Sequence, residues 1–270
     1  MIPKIIHYSW FSDEQMPLEF LQIMETWKTA MPDYEFRLWD ANALKDANIT
    51  FANEAYSVRM WAFAADAIRV YAVYHYGGIW LDGDVAVNKS FDPLLDCRMF
   101  IGKEWVVDRQ KDGCNHYIHS LSSHCFGAEK GHPYMRECLD YYESRHFILS
   151  DRENLPIGLR YDMRLMPYIQ ALLAMKYGYY GRIDAREKIE VLQDDIHVYP
   201  PYYFHEPRYH KIDEAYCVHF SMGSWRVKDS WRPGMDIKKF IWKKNIFYYL
   251  YTFINKILAK RRLRIIVRSV

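Results

Sequence analysis

Asp82 and Asp84 stand one glycine apart at the end of the run Ile79-Trp80-Leu81-Asp82-Gly83-Asp84. If the apolar strand Ile79–Leu81 continues through them, residues i and i+2 project to one face and the carboxylates point the same way. Two ionised carboxylates that close repel, and a proton, a basic side chain or a divalent cation must offset the repulsion. All-oxygen ligands favour a hard ion, Mg²⁺ or Mn²⁺, commonly completed by substrate phosphates. Much later in the chain, His219 follows an apolar strand, where a neutral imidazole can complete a carboxylate site for Mn²⁺. The Gly223-Ser224-Trp225 turn beside it offers a backbone N–H, a hydroxyl and an indole N–H as donors to a diphosphate. Asp66 and Arg69 add an acid and a base on a helix that is otherwise apolar. Each feature also has a plainer reading. Asp82-Gly83-Asp84 can be a turn, Asp66 and Arg69 a structural i,i+3 pair, and His219 a structural histidine.

The elements that must position these residues are legible from periodicity. From Ala62 the pattern is helical, with Trp61, Ala65, Ile68 and Ala72 on one face and Ala62, Asp66, Arg69 and Val73 on another. Phe63, Val70, Tyr71 and Tyr74 make most of the remaining surface apolar, so the helix is expected to be buried nearly all round. Gly77-Gly78 ends it and turns the chain into Ile79-Trp80-Leu81. Upstream, Ile2 to Trp10 reads as a strand, Leu18 to Ala30 as a helix and Glu35 to Trp39 as a second strand. Asp40 caps the helix that follows. Strand, helix, strand, helix, strand at these spacings predicts a parallel α/β sheet with its ligand at the carboxyl ends of the strands. Trp10 and the aspartates both lie at such ends. Further strands are expected near Met99–Ile101 and over Ser122–Ala128, with a helix opened by Gly131-His132-Pro133 and running to about Tyr142. His132 is expected to serve that turn. Asp162 and Arg164 face either an acceptor or solvent at a helix start.

In order, the chain supplies Ala64-Ala65-Asp66, Arg69, Gly77-Gly78, Trp80, Asp82 and Asp84. This series resembles the DXD core of glycosyltransferase family 32, shared by capsular polysaccharide transferases, Golgi mannosyltransferases and, more distantly, the large glucosylating toxins. Trp80 stands where the pattern usually has Tyr. The resemblance implies a GT-A-type α/β fold: a Rossmann-like, mostly parallel sheet flanked by helices. It also implies a nucleotide-sugar donor (a UDP-sugar favoured), Mn²⁺ or Mg²⁺, and transfer of a hexose with retention. Asp82, Asp84 and His219 would hold the metal on the diphosphate. Asp66 and Arg69 would bind the sugar hydroxyls, with Trp80 as an aromatic wall. In the related toxins an H-x-x-W places Trp against the nucleotide base; His7 and Trp10 match that spacing, and Tyr8 lies between them on the same strand end. Ser224 and Trp225 would complete the donor site. Asp82, Asp84 and Arg69 are the expected catalytic residues.

At 270 residues, half of them hydrophobic, the chain suffices for one sizeable domain with an appendage. Its net charge of +2 conceals an asymmetry: 10 Lys/Arg and no acid lie beyond Asp236, against 26 basic and 34 acidic residues over 1–236. The expected organisation is a catalytic domain over 1–235 and a basic amphipathic helical tail over 236–270, with Phe247, Leu250, Ile254, Ile257 and Leu258 on its apolar side. Its apolar run is shorter than the roughly 20 residues that span a bilayer, so it is expected to lie in a membrane interface. Five cysteines without a CxxC, and no signal peptide ahead of the first strand, point to the cytoplasm, with the protein peripheral on the inner membrane face. Cys114, His116, His119, His124 and Cys125 crowd together but match no standard zinc spacing. The expected partners are a nucleotide-sugar donor, a lipid-linked saccharide acceptor of capsule or O-antigen type and the membrane surface, with no nucleic acid. Two rivals come from other classes: a non-catalytic nucleotide-sugar-binding membrane protein and a metal-dependent phosphohydrolase.

Overall fold

The computed structural model describes residues 1–109, 117–204 and 214–220. The strands are β1 (Ile5–Ser9), β2 (Glu35–Trp39), β3 (Gly78–Leu81), β4 (Val85–Val87), β5 (Met99–Arg109), β6 (Tyr117–Ala128), β7 (Glu190–Leu192), β8 (Ile196–Tyr199) and β9 (Cys217–His219). The helices are α1 (Leu18–Ala30), α2 (Ala41–Ala47), α3 (Thr50–Ser57), α4 (Trp61–Tyr76), α5 (Pro133–Glu143), α6 (Ile157–Arg160) and α7 (Met166–Ala174).

Seven strands form one sheet in the order β2-β1-β3-β6-β5-β8-β7. β1 pairs in parallel with β2 and β3, and β5 with β8; β6 runs antiparallel to β3 and β5, and β7 antiparallel to β8. Five strands therefore share one direction, and β6 and β7 oppose it. β4 and β9 make a separate antiparallel pair in which Val85 faces His219.

Strand alternation divides the core in two. Ile79 and Leu81 pack with Ile6, Trp27 and Phe91 on the α1 face, whereas Trp80 packs with Phe63, Ile68 and Phe126 on the face covered by α4. Nine of the sixteen residues of α4 are buried, which agrees with its nearly unbroken apolar circumference. The helix ends at Gly77, and Gly77 and Gly78 take φ of +66° and +101°, backbone states that only glycine adopts at little cost. A Cβ at Gly78 would also stand 2.6 Å from the Ile5 carbonyl oxygen, so this glycine lets β3 lie against β1. Asp40 accepts hydrogen bonds from the Asn42 and Ala43 N–H groups, the cap expected for α2. His132 caps α5 by accepting the Tyr134 N–H, as its place before Pro133 suggested.

His7 knits this junction. Its Nε2 donates to the Gly77 carbonyl at 2.8 Å, and Trp39 Nε1 donates to its Nδ1 at 3.2 Å, which requires a neutral ring. Burial pushes its pKa down to about 4. Between about pH 6.5 and 4 the unfolded chain binds a proton that the folded chain refuses. Stability is therefore complete above pH 6.5 and falls as pH drops toward 4, by up to about 3 kcal/mol from this residue. Urea unfolding at pH 7 and pH 4.5 is expected to show the difference shrink in His7→Gln; an unchanged difference contradicts this role for the ring.

Candidate metal and donor site

The site is assembled at the carboxyl end of β3. β3 stops at Leu81, and Asp82-Gly83-Asp84 is a turn closed by the Val85 N–H on the Asp82 carbonyl at 3.0 Å. The expectation of a continuing strand with both carboxylates on one face is thus corrected. The chain must reverse here to start β4, and the carboxylates converge through the turn instead. The plainer reading of the backbone, a turn, was right.

α1 and β9 hold this turn from the far side. Trp27 Nε1 donates to the Val85 carbonyl at 2.6 Å, and Thr26 Oγ1 accepts the Val87 N–H at 2.9 Å, tying β4 to α1. The β4–β9 pairing sets His219 opposite Val85, and the Phe220 N–H donates to the Asp84 carbonyl at 3.0 Å. His219 Nε2 consequently lies 3.3 Å from Asp84 Oδ1. One ligand atom from each of Asp82, Asp84 and His219 falls within 4.8 Å of the others, all three side chains being partly exposed. Two carboxylates and one imidazole form a donor set that fits a hard divalent ion of the Mn²⁺ or Mg²⁺ kind.

Arg69 organises the opposite flank. It is 4% exposed. Its Nη2 lies 3.2 Å from Asp66 and 3.3 Å from Asp82; its Nη1 lies 3.5 Å from Asp82 and donates to the Ser123 carbonyl at 2.5 Å. Nε donates to the Ala65 carbonyl at 3.3 Å. These five contacts match the five N–H donors of a guanidinium. Arg69 thus acts on the carboxylates of Asp66 and Asp82. Burial opposes the charge on Arg69, but Asp82 and Asp66 more than offset it and hold its pKa above the ordinary value. Burial likewise pushes Asp66 up to about 7, against the pull of Arg69, because one guanidinium is shared between two carboxylates. With Asp84, three acids face one buried base, an excess of acid that a divalent cation would offset.

Trp80 was expected as an aromatic wall for the sugar. It is fully buried and cannot touch one. Its Nε1 donates to Asp82 Oδ1 at 2.7 Å, and its ring lies 5.4 Å from the Arg69 guanidinium carbon. Trp80 is a support for Asp82, because i and i+2 across the strand end lie on the α4 side.

Trp10 lies just beyond β1, where its N–H donates to the Trp39 carbonyl and its Nε1 to the Glu14 carbonyl at 2.7 Å. Its ring packs 5.6 Å from that of Phe20. A Cβ on Gly83 would stand 2.6 Å from Phe20 Cδ1, so Phe20 links Trp10 to the aspartate turn, and the glycine between the aspartates is required by that close approach. Phe20 was not read as a site residue from the sequence; the small residue between the two acids was the only hint. Tyr8 presents its ring edge to Trp27 on the α1 face, half-buried, and burial raises its pKa. Asp162 is buried and takes the Arg164 guanidinium, Nε donating at 2.7 Å, so this acid is already paired. Of the cysteine–histidine crowd, His119, His124 and Cys125 lie on β6, while Cys114 and His116 lie outside the described residues, as do Ser224, Trp225 and the tail 236–270.

Residues 17–101 match the family described as glycosyltransferase sugar-binding region containing DXD motif. That stretch runs from the start of α1 into β5 and includes Asp66, Arg69, Trp80, Asp82 and Asp84; Tyr8, Trp10 and His219 lie outside it. Over 199 residues the chain is 33% identical to inositol phosphoceramide mannosyltransferase 1 of Schizosaccharomyces pombe, covering 66% of this chain and 57% of that one. It is 32% identical over 138 residues to inositol phosphoceramide mannosyltransferase 3 of the same yeast, covering 50% of this chain and 35% of the relative. The chain thus spans about a third to just over half the length of these relatives. Among solved structures, the PaToxG glycosyltransferase superposes with a TM-score of 0.42 at 14% identity, over 65% of this chain and 68% of that one.

Proposed function

We propose, for a chain whose residues 17–101 carry the DXD sugar-binding region of glycosyltransferases, that it transfers a hexose from a nucleotide-sugar donor to a saccharide acceptor carried on a lipid. The observation that carries this reading is the convergence of Asp82, Asp84 and His219 beside the Arg69 clamp. Asp82, Asp84 and His219 would hold Mn²⁺ or Mg²⁺. When bound, the ion supplies positive charge to the diphosphate as it departs. Asp66 and Asp82, oriented by Arg69, accept hydrogen bonds from the sugar hydroxyls. Trp10 stacks on the base, with Tyr8 beside it. The bond from the anomeric carbon to the phosphate oxygen breaks, the bond to the acceptor oxygen forms, and the departing phosphate takes the acceptor proton. No side chain is placed as a nucleophile, in keeping with front-face transfer and retention.

The lipid part of the acceptor has its own support. Leu149 and Leu159 are 57% and 60% exposed, in a segment that also exposes Ile157 and Leu165. Phe147 anchors this segment by packing 5.3 Å from Phe63, one turn before Asp66 on α4. The basic tail adds attraction for anionic lipid of about 1 kcal/mol per Lys or Arg near the surface. No described helix is long and apolar enough to cross a membrane. The yeast relatives are named for an inositol phosphoceramide acceptor and for mannose, which makes a mannosyl donor the first to try, ahead of the UDP-sugars, and a glycolipid acceptor preferable to a capsule saccharide.

The test is donor consumption by purified protein with Mn²⁺, across GDP- and UDP-sugars, with and without lipid-linked acceptors. Transfer predicts that one acceptor raises donor consumption and yields a glycosylated lipid. Consumption indifferent to acceptor identifies a hydrolase, and binding without turnover identifies a non-catalytic protein.

A further inference from the structure

Strand β6 passes beside both halves of the candidate metal site, and one of its residues touches each. The backbone carbonyl of His124 accepts the Asp82 N–H at 2.9 Å. The His124 ring stacks on the His219 ring, with centroids 4.0 Å apart and planes inclined at 22°. His124 is only 1% exposed. Its Nε2 donates to the Phe204 carbonyl at 2.9 Å, Ser122 Oγ lies 3.2 Å from its Nδ1, and the Glu104 carboxylate lies 3.5 Å from the same nitrogen. The ring is thus fixed by its own partners before it meets His219. His219 sits on a three-residue strand and keeps 19% of its side chain exposed. A stacked contact occupies a face of the His219 ring and leaves its edge directed by the stack toward Asp84. Groups that orient a histidine ligand commonly change metal affinity by about 10–100-fold when removed.

We propose that His124 is a positioning residue for the metal site: its buried ring sets the plane of His219, and its backbone carbonyl sets Asp82. This rests on the reading of Asp82, Asp84 and His219 as metal ligands. No zinc role is implied, since His124 acts through its ring face.

The test is Mn²⁺ affinity, measured by titration calorimetry on the full chain with a nucleoside diphosphate present. His124→Gln keeps an amide donor for the Phe204 carbonyl but loses the ring, and is expected to weaken Mn²⁺ about 10-fold. His124→Phe keeps a ring but loses the buried hydrogen bond. It is expected to melt lower than His124→Gln while binding Mn²⁺ more tightly than it does. The decisive arm is a double-mutant cycle. In the His219→Ala background, His124→Gln is expected to cost Mn²⁺ affinity nothing further, because the group it positions is gone. An equal loss in both backgrounds, or no loss in either, overturns the positioning role. Wild-type protein that binds no Mn²⁺ overturns the metal assignment itself, and this inference with it.

Discussion

Asp84→Asn is expected to reduce kcat/KM in Mn²⁺ by at least about a hundredfold while leaving the fold intact. The side chain is 14% exposed, with His219 Nε2 3.3 Å from its Oδ1, and asparagine keeps its shape and its capacity to hydrogen-bond. On the proposed reading it removes a metal ligand and one of the three acids that face a single guanidinium. In EDTA, where no ion offsets those charges, the variant is expected to melt at or slightly above the wild-type temperature. That split between rate and stability separates a functional acid from a structural one. Parallel losses of both would reassign Asp84 to the turn.

Arg69→Met is expected to do the opposite, losing stability along with activity. It strips the partner from Asp66 and Asp82 in a buried setting, and breaking such a pair costs about 3–5 kcal/mol. For a domain of this size the melting temperature should fall by on the order of 10 °C. Asp66→Asn added to Arg69→Met is expected to restore part of the stability, since Asp66 no longer has to be buried as an unpaired acid, and to restore none of the transfer. Full-strength folding of Arg69→Met, with transfer alone lost, would show that Arg69 touches the sugar itself and is not occupied by the carboxylates.

Arg69 also shows where the sequence stops being informative. Its pairing with Asp66 follows from helical spacing and was legible, but its bridge to Asp82 and to the Ser123 carbonyl depends on strands far apart in sequence. The same holds for Trp80, whose place in the motif was clear. Strand alternation turned its ring into the core, where it steadies Asp82 instead of facing a sugar. α1 and β2 matched their expected spans, and β1 and α4 did so to within a few residues, although Leu18 and Leu21 of α1 and Leu38 of β2 stay exposed. The short helix α3 and the three-residue strand β4 were not foreseen, since segments so brief carry little period, and β9 was read only as the apolar strand before His219, with no signal for its partner. Yet β4–β9 pairing is what delivers His219 to Asp84. His219 was singled out from its place after an apolar strand and from family resemblance; its contact with His124 had no signal in the sequence. Phe20 had only Gly83 to betray it, a glycine whose need becomes visible once the ring lies upon it.

On the proposed reading, Asp82, Asp84 and His219 form a site for a metal-bound nucleotide diphosphate. Calorimetric titration of GDP and UDP into the full chain, in Mn²⁺ and in EDTA, tests it most directly. At least one of the two is expected to bind with one-to-one stoichiometry in Mn²⁺, and to lose that binding in EDTA and in Asp84→Asn. A nucleotide that binds equally tightly in EDTA and in Asp84→Asn would show that these three side chains hold no metal for it.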